Sequence, residues 1–146
     1  MKHSALPIMP SAKTASGAPA ALKNWPVLRL GFRPFYIGTA LLACLSVPLW
    51  IATFAGWMSL SLPITPLLWH AHEMLFGFAA GVIAGFLLTA VKAWTGLATP
   101  RGATLGALFM LWLAARIAGL TGPYLLYAAL DTLLLPLVAI ILLRVL

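Results

Sequence analysis

The stretch Trp69-His70-Ala71-His72-Glu73 places two imidazoles and a carboxylate within four residues, near the start of an apolar run over 67–91. Imidazole in an apolar setting suits haem iron, copper or zinc. Copper would want further nitrogen or sulfur donors. Met74, about 40° from His70 around a helix, offers a thioether. His72-Glu73 is followed by Met74, Leu75 and Phe76, so the second histidine of HExxH is missing and a zinc-protease reading fails. Two further ionisable groups, Arg116 and Asp131, also sit inside apolar runs. Such groups face a bundle interior, where they pair or bind something. Three readings stay open at this point: a metal or haem site, a proton or ion pathway, and structural polar packing.

These residues need a membrane scaffold. The chain has 146 residues, 63% hydrophobic and 8% charged, with a mean hydropathy of +1.05. A soluble domain cannot hide that much apolar surface, so the expected fold class is an all-α, polytopic transmembrane helix bundle. Four segments reach the roughly 20 apolar residues of a span, near 35–57, 67–91, 103–121 and 123–143. Residues 1–33 are rich in Ser, Ala, Pro, Gly and Lys, and read as a mostly disordered cytoplasmic tail ahead of a transmembrane domain over 34–146.

The net charge of +7 has a topological reading. Lys2, Lys13, Lys23, Arg29 and Arg33 precede the first span, Lys92 and Arg101 follow the second, and Arg144 follows the fourth. The other two connections carry no Lys or Arg. Both termini are therefore expected on the cytoplasmic side, with the lipid bilayer as partner and no nucleic acid. Trp25, Trp57, Trp69, Trp94 and Tyr124 lie near span ends and suit interfacial anchoring. Trp50 and Trp112 are deeper and suit packing. Cys44 reads as a small buried hydrophobe. Pro48 and Pro136 fall inside spans and are expected to kink them.

Placed by depth, the ionisable groups form one layer. At 1.5 Å per residue, His70, His72 and Glu73 lie about 5 to 9 Å from the outer end of the second span, Arg116 about 8 Å and Asp131 about 12 Å down theirs. Arg116 then has two candidate partners, Glu73 and Asp131. His70, Glu73, Gly77, Gly81, Ala84 and Leu88 share a helical stripe, and Gly77, Gly81 and Gly85 permit close approach of another helix or a flat ligand. His72 points about 200° away in a regular helix. Either the two histidines serve two sites, or the helix start is irregular.

The combination of LGFRPFYIGTALLA, LWHAHEMLFGFAAGVIAGFLLTAV, AWTGLATPRG and LWLAARIAG resembles the NnrS family of bacterial inner-membrane proteins. The resemblance covers about Leu30 to the end. It implies a polytopic haem- and copper-containing protein tied to denitrification and to tolerance of nitric oxide and nitrosative stress. It makes His70 and His72 the candidate cofactor ligands, with Met74 beside them as a metal donor and Glu73, Arg116 and Asp131 as a supporting polar layer. It does not say which histidine meets haem and which copper. Nitric oxide or an electron-transfer protein would be the partner. Arg33, Pro34, Trp94 and Gly96 also match the family pattern, and Arg33 and Arg101 could equally face anionic headgroups. The chain departs in having Lys92 and Ala93 where the family commonly has proline and asparagine. Family members carry about a dozen spans, so this chain is expected to be a truncated form or fragment. The alternative from another class is a piece of a transporter or channel, with Glu73, Arg116 and Asp131 as its polar pathway. No nucleophile–base pair, phosphate-binding glycine loop or nicotinamide fingerprint points to an enzyme.

Overall fold

The computed structural model describes residues 26–144. Among these residues the chain is all-helical, and four helices are long and apolar enough to cross a membrane. They are α1 (Phe32–Phe54), α2 (Pro66–Thr95), α3 (Ala103–Thr121) and α4 (Tyr124–Leu143). Large side chains such as Leu45, Phe54, Leu125 and Leu143 are more than two-thirds exposed. An outward apolar coat of this kind has a stable partner in lipid and none in water.

The chain turns are built from local rules. Pro66 stands at the first turn of α2, where a missing N–H costs nothing. Gly96 ends α2 in the left-handed region (φ 71°), its N–H bonding Lys92 O. That gives the glycine of the WTG stretch a structural task. Gly102, at φ 60°, starts α3 and donates its N–H to Leu28 O at 3.0 Å. Thr89 near the end of α2 accepts the Phe32 N–H at 3.2 Å, so the start of α1 lies beside the end of α2. Gly122-Pro123 make the tight turn between α3 and α4.

Several expectations shift. Residues 1–25 of the expected tail lie outside the described residues, with Lys2, Lys13, Lys23 and Trp25. Residues 26–33 fold onto the bundle. Pro26–Arg29 form a 3-10 turn, Arg33 donates to Pro26 O at 2.9 Å, and Leu28 packs against the core. The first helix therefore starts at Phe32, three residues early, because this turn gives it a place to begin. Cys44 is exposed rather than buried, since its face of α1 is part of the apolar coat. Trp69 is buried at 2% exposure and is no interfacial anchor. Trp57 and Trp94 are exposed near helix ends, where anchoring would place them.

The core occupies the half of the bundle near the Lys92 end. Phe35 of α1, Ala84, Leu88 and Val91 of α2, Leu105, Leu108 and Trp112 of α3, and Leu134, Val138 and Leu142 of α4 pack there. Helices in lipid gain little from the hydrophobic effect between themselves, so close packing has to hold them. Gly81 supplies it: a Cβ there would lie 2.5 Å from Thr39 Cγ2 and 3.0 Å from Trp112 Nε1. Gly85 makes the same kind of room for Phe35, 3.0 Å from an added Cβ. Gly81→Ala is expected to lower stability by about 1–3 kcal/mol through overpacking, read as a shift in the unfolding midpoint of the purified chain in denaturing detergent. An unchanged midpoint would show that α1 and α2 have slack at this crossing.

Candidate functional site

α2 is not regular. Pro66–His72 is α-helical, Glu73–Ala79 is π-helical, and Ala80–Thr95 is α-helical again. A π segment widens one turn and is frequent at functional sites. Here it begins directly after His72, so both histidines lie on the regular α-helical turns that precede it. Gly77, inside it, offers its carbonyl to Trp112 Nε1 at 2.9 Å. An added Cβ on Gly77 would lie 2.5 Å from Arg116 Nη1 and 2.6 Å from Leu42.

The structure brings Glu73, Arg116 and Asp131 together. Arg116 Nη1 donates to Glu73 Oε2 at 2.9 Å, and Nη2 donates to Asp131 Oδ1. The Glu73 and Arg116 side chains are 1% and 5% exposed. One guanidinium thus links α2, α3 and α4. Tyr127, which sequence reasoning missed, completes the network. Its hydroxyl donates to Glu73 Oε1 at 2.9 Å and lies 2.6 Å from His72 Nδ1. The signal was available: Tyr127 and Asp131 are four residues apart and so share a helix face. Gly119, three residues after Arg116, was also missed. A Cβ there would crowd Tyr127 at 2.9 Å and Glu73 Oε1 at 3.0 Å.

His72, placed in the layer by depth and expected to point away from His70, does both. Its Nδ1 lies 3.5 Å from Asp131 Oδ2 as well as against Tyr127, and its ring packs on Phe76 and Tyr127. The physical reason is that α4 flanks α2, so adjacent residues His72 and Glu73 both reach Tyr127. His70 turns to a different neighbour. Its ring stacks on Trp50 of α1, with centroids 4.4 Å apart and planes 14° apart. Its Nδ1 is buried with no hydrogen-bond partner. The two histidines therefore serve two places. Met74 is half-buried on the π segment and takes no part in the hydrogen bonds. Among the described residues, no three His, Cys, Asp or Glu side chains converge as a metal ion would need.

With the Tyr127 hydroxyl donating to Glu73, the short contact to His72 is matched by the tautomer that carries its proton on Nδ1. A neutral His72 with its proton on Nδ1 leaves the Nε2 lone pair free. Beside the network, a groove of about 380 Å³ runs between α1, α2 and α3, lined by Leu42, Ser46, Trp69, Glu73, Trp112 and Arg116 among others. Ser46 Oγ, Trp69 Nε1 and Arg116 Nε are buried there without partners. Unpaired buried donors cost about 1–3 kcal/mol each, and because these atoms are shut off from the groove, its surface is almost wholly apolar.

Removing Arg116 alone should be far worse than removing the whole ion cluster. Arg116→Leu leaves two buried carboxylates facing each other and is expected to cost about 3–5 kcal/mol. Adding Glu73→Gln and Asp131→Asn should recover most of that loss in the same detergent unfolding assay. A triple variant no more stable than Arg116→Leu would refute the charge-based account.

Comparison with known proteins extends the picture beyond the geometry. The family model described as NnrS protein matches residues 26–146. No curated protein and no solved structure matches the chain. A match over that share of the sequence is decisive for membership, and the chain belongs to the NnrS family.

Proposed function

We propose that this NnrS-family chain binds haem, with His72 as the foremost axial ligand, and acts in nitric oxide or nitrosative-stress tolerance and denitrification in a bacterial inner membrane. The observation that carries this reading is the state of His72. Metal-bound imidazoles hold one nitrogen to an oxygen partner and offer the other to the metal. His72 has that arrangement: Nδ1 is held by Tyr127 and faces Asp131, while the side chain keeps 29% exposure. The hydrogen bond orients the ring and is matched by the tautomer that leaves Nε2 free. A bound haem would supply an iron coordination position for nitric oxide. Glu73 and Arg116 act indirectly, by holding the Tyr127 hydroxyl in place.

Copper is less well supported by the residues present. His70, with its unpartnered Nδ1, is the remaining imidazole, and Met74 lies on the adjacent turn, but no three-donor group converges. Copper at His70 thus rests on the family resemblance. An electron-transfer partner and cytoplasmic termini belong to the same reading. The gathering of Arg29, Arg33, Lys92 and Arg101 at one end of the bundle supports that orientation. The rival reading, a Glu73–Arg116–Asp131 pathway, has weaker support. Arg116 is clamped on both sides, and the apolar cluster from Phe35 to Leu142 fills the bundle between this layer and the basic end.

The test is a reduced-minus-oxidised absorption spectrum of the purified chain, with copper measured on the same sample. Wild type should show a haem spectrum and His72→Ala should lose it. A folded His72→Ala variant with full haem would overturn the ligand assignment. Tyr127→Phe removes only the hydroxyl that orients the imidazole. It is expected to keep the spectrum but weaken haem affinity about 10–100-fold, measured by haem titration into the apoprotein. Wild-type affinity in Tyr127→Phe would mean that the tautomer argument is wrong.

A further inference from the structure

The basic end of the bundle holds a second, separate site. Arg29 of the 3-10 turn, Arg33 at the start of α1, Lys92 in the last turn of α2 and Arg101 just before α3 line a cleft of about 320 Å³. Four cations from four pieces of chain face one space. The whole sequence contains only two acidic side chains, Glu73 and Asp131, and both are bound to Arg116 in the polar layer. No Asp or Glu of this chain is left to neutralise the cleft. Like charges gathered without a counter-charge repel, so an anion from outside has to complete the arrangement.

The neighbouring surface says what kind of anion. A groove of about 510 Å³ runs alongside, lined by Val27, Leu28, Pro34, Ile37, Ala107 and Met110 among others. The same pieces of chain border both spaces. Val27 and Leu28 face the groove while Arg29 faces the cleft, and Pro34 follows Arg33 in the same way. The groove is apolar and the cleft is cationic. A soluble phosphate would use only the second, whereas a phospholipid would use both. Exposed Trp94, two residues after Lys92, suits the headgroup depth that this requires.

We propose that Arg29, Arg33, Lys92 and Arg101 bind the phosphate of an anionic phospholipid whose acyl chain lies along the groove between α1 and α3. The site is independent of the haem reading. It accounts for the 3-10 turn, which separates the two spaces and is fastened by the bonds from Gly102 to Leu28 and from Arg33 to Pro26.

Lipid affinity is measured by native mass spectrometry of the full chain in a neutral detergent, titrated with phosphatidylglycerol or with phosphatidylcholine of the same acyl chains. Phosphatidylglycerol is expected to bind more tightly. Lys92 and Arg101 donate no hydrogen bond among the described residues, so Lys92→Gln with Arg101→Gln should fold normally. This double variant should weaken phosphatidylglycerol binding about fivefold per charge removed. Arg144→Gln, outside the cleft, should leave it unchanged. Ala107→Trp, which fills the groove and spares the charges, should also weaken it. Equal affinity for the two lipids, a double variant that binds like wild type, or an equal loss in Arg144→Gln would overturn the proposal. Displacement of the lipid by stoichiometric inorganic phosphate would overturn it too, because a free anion would then be the occupant.

Discussion

A guanidinium buried in an apolar bundle sets most of what this protein can be. Arg116 cannot stay charged there unpaired, because removing an ion from water costs several kcal/mol even after relaxation. Its two terminal nitrogens are used on two helices, Glu73 of α2 and Asp131 of α4. That choice fixes the rotation of three helices at one level. It also dictates the small residues around it. Gly77 and Gly119 leave room where a single methyl would strike Arg116, Glu73 or Tyr127. The apolar half of the bundle could slide or rotate among similar packings of Leu, Val and Ala. The polar half has one arrangement that leaves neither carboxylate alone.

Much of this could be read from residue types and spacing. Four apolar runs of span length become four helices, and α3 occupies the expected residues 103–121. Depth counting put Glu73, Arg116 and Asp131 in one layer because antiparallel helices of known rise leave little freedom. What escaped that reasoning depends on facts that periodicity does not encode. The π segment after His72 is a change of helical phase that residue types do not announce, although both histidines precede it and diverge as a regular 100° step requires. The burial of Trp69 follows from which flank of α2 meets α1, something no single helix specifies. The 3-10 turn over Pro26–Arg29 looks like tail in composition, yet it folds because Leu28 finds the core and its carbonyl finds Gly102.

Tyr127 shows how a structural network becomes a chemical one. The ion cluster alone would only hold helices together. A phenol placed between Glu73 and His72 ties that rigid cluster to an imidazole at the edge of the bundle and fixes where the ring sits. His70, two residues earlier, gets no such partner and stacks on Trp50 instead. Two histidines two residues apart thus have different environments.

The same pair of carboxylates explains the opposite end of the molecule. With nine Lys and Arg against two acidic residues, any acid placed in the bundle is one withdrawn from the surface. Both are in the bundle. No Asp or Glu of this chain is therefore left for the cations at the basic end. Four of the remaining cations, Arg29, Arg33, Lys92 and Arg101, line one cleft at a single end of the bundle. The polar layer and the basic cleft, separated by the apolar core, follow from one allocation of two negative charges.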